Sequence, residues 1–216
     1  MARTKVPPGR TRHTSGAASA GPGRLRLIAG RFRGRRLPIP DQPGLRPTAD
    51  RVRETLFNWL APVIEGARCL DLFAGSGALG LEAASRGAAW VVLIEQAEAV
   101  ARQLRSNVEV LGAGDRVRVV RADALSWLAQ TGSGAAGGPF DLVFLDPPFA
   151  AGLLAPACDL LERTGWLAPG ARVYLETGAR SSLPPLPAGW VLTRERTAGQ
   201  VRFALALAHP VEDAGD

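Results

Sequence analysis

The 216-residue chain is poor in the residues that build metal centres and disulfide frameworks, with two cysteines and two histidines. Cys69 and Cys158 lie in separate apolar segments, one strand-like and one helix-like, and read as inert core thiols in a reducing cytoplasm. His13 and His209 sit near opposite ends and share no ligand-like spacing, so no metal site is expected. No apolar run approaches the roughly 20 residues needed to cross a bilayer. No hydrophobic segment follows the basic N-terminus as a secretory signal requires. Lysine is almost absent, because Lys5 is the only one among 26 basic residues. Compositional bias accounts for arginine in place of lysine, but not for where the basic residues fall.

They fall at one end. Residues 1–60 hold thirteen Lys/Arg against three Asp/Glu, a net of +10; the whole chain is +6, which leaves −4 for residues 61–216. A basic N-terminal third on a mildly acidic body points to a polyanionic partner, with nucleic acid the obvious one. With 46% hydrophobic residues, the length suits one well-buried core. Residues 1–23 are Gly, Pro, Ser, Ala and basic residues without periodicity, and read as a disordered basic leader. Residues 24–62 read as a hairpin (25–39) followed by a helix that carries Val52, Leu56, Phe57 and Leu60 on one face, with Thr48 or Asp50 as N-cap.

From residue 68 the pattern alternates strand and helix, within a domain expected to span 63–210. Strands are predicted at 68–73, 90–94, 116–120, 140–145 and 171–176, and helices near 77–86, 97–111, 123–130 and 153–165. This is the rhythm of a parallel sheet covered on both faces, an α/β fold. Residues 131–139 read as a flexible surface loop. Two strand-like runs, 190–197 and 201–208, flank Ala198-Gly199-Gln200 and read as a closing antiparallel hairpin. The five tryptophans adjoin apolar residues or element ends and read mostly as core, and Asn107 reads as a helix-surface residue.

Two segments carry chemistry. Asp71-Leu72-Phe73-Ala74-Gly75-Ser76-Gly77 joins a strand to a helix through a glycine turn that lets backbone approach a ligand. Such a turn alone also fits a dinucleotide. Asp71 before the turn would repel a pyrophosphate but suits a cationic amino-acid group. Glu95, followed by Gln96, ends the second strand where ribose hydroxyls can donate to it. Asp123-Ala124 follows the third strand, within reach of an adenine. S-adenosylmethionine fits these acceptors better than NAD does, and Phe73 is placed to wall it. The second segment, Asp146-Pro147-Pro148-Phe149, follows the apolar run 140–145. A carboxylate at a strand's C-terminal edge, a proline-stiffened backbone and an aromatic ring make a receptor for an exocyclic amino group on a flat base. Asp146 and the Pro147 carbonyl would accept its N–H groups, while Phe149 stacks on the ring. Arg31, Arg33, Arg35 and Arg36, with Arg46, Arg51 and Arg53, are candidates to grip phosphates beside that base. Thr48, Asp50 and Arg53 are alternatively placed to shape the pocket.

The order Asp71-x-x-x-Gly75-Ser76-Gly77, Glu95, Asp123 and Asp146-Pro-Pro-Phe149 resembles the class I S-adenosylmethionine-dependent methyltransferases. The segments 26–38 (RLIAGRFRGRRLP, read from Leu27's neighbour Arg26 onward) and 44–60 (GLRPTADRVRETLFNWL) are similar to the RsmD family. That resemblance implies a Rossmann-like, mostly parallel seven-stranded sheet with helices on both faces, a C-terminal antiparallel hairpin and a small N-terminal extension. It implies methylation of the N2 amino group of one guanine in bacterial 16S ribosomal RNA, by a cytoplasmic monomer acting on assembled or partly assembled small subunits. The Asp-Pro-Pro-Phe receptor does not by itself separate guanine N2 from adenine N6. A ribosome-assembly factor with a vestigial site would equally use a basic N-terminal third.

Overall fold

The computed structural model describes residues 23–42 and 48–209. The basic leader, apart from Gly23, and Arg46 lie outside the described residues. The N-terminal extension opens with β1 (Arg24–Arg26) and β2 (Arg36–Pro38), paired antiparallel with Leu25 opposite Leu37. Helix α1 (Asp50–Leu60) then buries Val52, Leu56, Phe57 and Leu60, the apolar stripe that its 3.6-residue period dictates.

The main sheet contains β3 (Arg68–Asp71), β4 (Trp90–Glu95), β5 (Val117–Arg121), β6 (Phe140–Leu145), β7 (Leu167–Gly178), β8 (Trp190–Ala198) and β9 (Val201–Ala208). Their order is β5-β4-β3-β6-β7-β9-β8; the first five run parallel, and β9 pairs antiparallel with β7 and β8. Crossovers are made by α2 (Gly80–Ser85), α3 (Glu98–Leu111), α4 (Ala124–Gln130), α5 (Ser133–Ala136) and α6 (Leu154–Arg163). Alternate strand residues feed two apolar layers. Cys69, Val91, Leu142, Phe144 and Tyr174 pack toward the N-terminal hairpin, α1 and α3, whereas Leu70, Val92, Val143 and Val173 pack toward α4 and α6. Burial pushes both cysteine thiols above their ordinary range, as inert core positions require. Among the described residues no helix is long and apolar enough to cross a membrane.

Five expectations of local structure need correction. The N-cap of α1 is Ala49, with no side-chain cap bond, rather than Thr48 or Asp50. Helix α2 begins at Gly80 rather than 77, because the left-handed Gly77 (φ 80°) keeps the preceding residues in turns. Strand β7 starts at Leu167, four residues early, with a register shift at Pro169-Gly170, where one backbone donor is missing and φ turns positive. The loop 131–139 contains α5, whose Ala136 is buried and accepts the Trp90 indole N–H (3.2 Å). Asn107 is buried rather than on a helix surface, and its amide donates to the Pro38 carbonyl (3.1 Å), pinning β2 to α3.

A buried charge cluster fastens the N-terminal extension to the sheet. Glu82 of α2 is fully buried; its two oxygens accept the backbone N–H groups of Ile28 (2.8 Å) and Ala29 (3.0 Å). Arg86 and Arg53 complete its shell at 2.8 and 3.4 Å. Arg53, 1% exposed, also reaches Asp50 (2.6 Å), the Arg26 carbonyl (2.9 Å) and the Thr48 carbonyl (3.2 Å). The expected phosphate grip by Arg53 is therefore wrong: the side chain is sealed from solvent and each of its three guanidinium nitrogens donates to a protein acceptor. Arg53 is alternatively expected to shape the pocket with Thr48 and Asp50, to both of which it donates, whereas Glu82 is not among the residues expected from the sequence. The available signal was an isolated acid in the small-residue run Gly80-Leu-Glu-Ala-Ala-Ser85.

Candidate active site

Strands β4 and β5 extend the sheet from β3 in one direction, while β6 and β7 extend it in the other. The crevice between the C-terminal ends of β3 and β6 is therefore a topological switch point, where open α/β sheets bind ligands. A cleft of about 850 Å³ opens there. It brings together Asp71 at the end of β3, Phe73, Gly75 and Ser76 from the glycine turn, Glu95 and Gln96 at the end of β4, and Asp123 and Ala124 after β5. Asp146, Pro147, Pro148 and Phe149 after β6 complete it. Gly77 is not among the lining residues. A Cβ there would lie 2.7 Å from Leu104 Cδ2, so this glycine lets the turn pack on α3 rather than on a ligand.

Asp71 is 1% exposed, and its Oδ2 accepts the Gly80 N–H at 2.9 Å. Gly80 must lack a side chain, since a Cβ would approach Leu93 Cδ2 to 2.2 Å and Asp71 Oδ2 to 3.2 Å. Oδ1 of Asp71 is buried with no hydrogen-bond partner. Burial, helped by Asp146 and Glu95, raises its pKa to about 7. An orphaned carboxylate oxygen at a cleft wall is a ready acceptor for an ammonium group, and the site fits an amino-acid-bearing ligand on that ground. Glu95 is held by two backbone donors, Gly75 N–H to Oε2 (3.0 Å) and Ala97 N–H to Oε1 (2.6 Å). Each oxygen keeps a second lone pair for a hydroxyl donor. Asp123 caps α4 by accepting the Ser126 N–H (2.9 Å), a bond that lowers its pKa, so its presence at the cleft has a structural cause as well.

At the other end, Asp146 Oδ2 accepts the Thr48 hydroxyl at 3.1 Å, leaving Oδ1 available. Burial raises the Asp146 pKa to about 6. Thr48 thus serves the carboxylate end of the cleft, whereas Asp50 pairs with Arg26 and Arg53 outside the lining. One residue was missed. Glu176 near the end of β7 is 3% exposed, lines the cleft, and accepts the Tyr174 hydroxyl. Burial and the neighbouring Asp146 raise its pKa to about 8, so the adjacent carboxyls hold one proton between them near neutrality. The signal for Glu176 was the one used for Asp71 and Asp146, an acid at the C-terminal edge of an apolar strand. The Phe149 ring is exposed to 49%, an unpartnered aromatic surface at the cleft.

The predicted phosphate-gripping arginines do not gather at this cleft. The Arg31 N–H donates to the Ser85 carbonyl (2.7 Å), and the Arg35 guanidinium to the Val110 carbonyl (2.9 Å), at the C-terminal ends of α2 and α3. Ala97, the N-cap of α3, lines the cleft, and thirteen residues at 1.5 Å put Val110 about 20 Å away. Arg31, Arg33 and Arg35 are all exposed, and the expectation of a phosphate grip beside the base is corrected for Arg35, whose guanidinium is tied at that distance. Arg36 is exposed on β2, and Arg51 is exposed in the first turn of α1, next to the cleft-lining Thr48 and Ala49.

Comparison with known proteins agrees with this geometry. The family model described as conserved hypothetical protein 95 matches residues 25–207. The chain is 56% identical over 186 residues to the ribosomal RNA small subunit methyltransferase D of Escherichia coli K12, covering 86% of this chain and 91% of that one. It is 45% identical over 184 residues to the protein of the same name from Haemophilus influenzae, covering 85% and 93%. The solved structure of a putative methyltransferase from Escherichia coli superposes with a TM-score of 0.79 at 54% identity, covering 86% of this chain and 98% of that one. The chain belongs to the RsmD family of methyltransferases.

Proposed function

We propose that this protein methylates the exocyclic N2 amino group of a guanine in bacterial small-subunit (16S) ribosomal RNA, with S-adenosylmethionine as methyl donor. The observation that carries this reading is the placement of Asp146 and an exposed Phe149 in one cleft with the glycine turn and the orphaned Asp71 oxygen. The names of the 56% and 45% identical relatives supply the RNA class. The protein works as a cytoplasmic monomer on assembled or partly assembled subunits.

When bound, S-adenosylmethionine supplies an electrophilic methyl on a sulfonium. Asp71 receives its ammonium and Glu95 its ribose hydroxyls, while Asp123 and Ala124 sit at the adenine end. The protein's remaining task is to make an arylamine nucleophilic, since its lone pair is delocalised into the ring. Asp146 Oδ1 and the Pro147 carbonyl accept the two N–H groups and turn the lone pair toward the glycine-turn end of the cleft. Phe149 fixes the plane of the base by stacking. Alignment of this kind is the main contribution. The proton leaves the nitrogen late, when the amine is strongly acidic, so a carboxylate with a pKa of about 6 suffices to take it. The target must be unpaired or flipped out of its stack to reach the cleft.

The test is labelled methyl transfer to small subunits from cells lacking the modification, followed by digestion to nucleosides. N2-methylguanosine is expected, with transfer to bare 16S RNA much weaker. Methylated adenosine in the digest would overturn the guanine assignment, and no transfer to subunits would overturn the RNA assignment.

Asp71 makes cofactor binding pH-dependent. Its pKa of about 7 means that a substantial fraction is neutral at pH 6.5, and an ammonium partner draws it to the ionised form, releasing a proton. Affinity is expected to weaken as pH falls below 7, with proton release visible as a buffer-dependent enthalpy in calorimetry. Asp71→Asn is expected to weaken binding about 10- to 100-fold, the loss of one charge-assisted hydrogen bond, and to abolish the proton release. Unchanged proton release in that variant would assign it elsewhere.

A further inference from the structure

A second cavity of about 310 Å³ adjoins the cleft and shares a wall with it. The shared residues include Pro147, Pro148, Phe149, Leu153 and Glu176, and the wall ends in the half-exposed Phe149 ring. A Cβ added at Gly178 would lie 3.7 Å from Phe149 Cδ2 and 3.6 Å from Ser181 Oγ, so the ring stands over the end of β7 beside the loop that follows. That loop is anchored at both sides of the cavity. The Ser181 N–H closes a turn onto the Gly178 carbonyl (2.9 Å), and the Ala179 N–H donates to the carbonyl of Gln200, in the hairpin tip that lines the main cleft (2.9 Å). Leu183, Pro184 and Pro185 give the far wall an apolar, proline-stiffened surface, and Thr177, Ser181 and Ser182 supply hydroxyls. Arg180 is exposed on the same turn.

We propose that this second cavity binds the nucleotide adjacent in sequence to the methylated guanine, its base lying against the side of the Phe149 wall opposite the target base. The inference rests on the RNA-methylation reading given above. Phe149 is the one exposed aromatic ring among the large hydrophobic side chains exposed in the described residues, and it borders both cavities. Aromatic stacking suits a single-stranded nucleotide because every base presents a π face, and hydroxyls accommodate a base edge or sugar without demanding charge. Arg180 meets the requirement for a cation near the linking phosphate. Arg35, tied about 20 Å from the cleft by helix rise, does not reach the strand next to the target base, which leaves a role for local contacts there.

The test fills the cavity without touching the catalytic groups. Ser181→Leu and, separately, Ser182→Leu replace exposed residues and are expected to leave thermal unfolding and cofactor affinity unchanged. Steady-state methylation of unmodified small subunits should show KM raised roughly 10-fold or more, the effect of losing one base–aromatic contact, with kcat within about twofold. KM within about twofold of the wild type for both variants, while wild-type activity on subunits is present, overturns the cavity assignment alone. A large fall in kcat at unchanged KM overturns it too, because the cavity would then hold the target base itself. Absence of wild-type activity on subunits instead overturns the underlying reading.

Discussion

Asp146→Ala is expected to lower kcat for subunit methylation by about 10³-fold while leaving S-adenosylmethionine affinity within about threefold, measured by single-turnover assay and calorimetry. Asp146 Oδ2 is occupied by Thr48 and Oδ1 is free, so alanine removes the acceptor that orients the amine and leaves the Asp71–Glu95 end of the cleft intact. Asp146→Asn separates the two duties of this residue. The amide oxygen still accepts an N–H, but the group cannot take a proton or titrate. The sign of the pH dependence follows from the raised pKa of about 6: the accepting, ionised form is lost as pH falls through that value. Wild-type kcat should therefore decline below about pH 6, and the Asn variant should retain partial activity without that limb. A full-strength acid limb in Asp146→Asn would place the titrating group elsewhere, with Glu176 next in line because it shares the cleft and its raised pKa falls once the Asp146 charge is gone.

Arg53→Met should be the most destabilising single change in the N-terminal extension, by about 3–5 kcal/mol, because it strips a partner from a fully buried carboxylate. For a chain of this size that is a fall of roughly 6–20 °C in the unfolding midpoint. Combining it with Glu82→Gln should recover part of the loss, since the buried negative charge disappears while the amide oxygen can still accept one of the Ile28 and Ala29 N–H bonds. A double variant no more stable than Arg53→Met would mean that packing, not charge, dominates the cost. Arg53 also holds the Thr48 carbonyl, and Thr48 holds Asp146, so a kcat loss beyond the stability effect is expected to accompany the single change.

The pH behaviour and the Arg53 cluster also mark how far local pattern could be read. Alternating strand and helix periods located all five parallel strands and the closing hairpin to within a few residues, because a buried strand needs an apolar run and a crossover helix needs an apolar stripe. Acids after those runs identified Asp71, Glu95 and Asp146, since strand C-terminal edges face the ligand crevice in this architecture. The same rule applied to Leu175-Glu176-Thr177 would have found Glu176. Glu176 is itself the last residue of the strand predicted at 171–176, and its pairing with β6 places that end beside Asp146 at the crevice.

Composition and order alone determined the α/β class, the glycine turn, the Asp146-Pro-Pro-Phe149 segment at a strand end and the family resemblance, because each is written in residues adjacent along the chain. Only the tertiary structure decided which arginines are available. Arg53 and Arg51 are two positions apart on α1, and a helix turns by about 200° over two residues, so one is sealed against Glu82 while the other faces solvent. Distance works the same way: Arg35 and Gln42 are close in sequence, yet one is tied to the far end of α3 and the other lines the cleft. Charge counted along a chain has no direction. Folding assigns it one by deciding which side chains are desolvated and which remain in water.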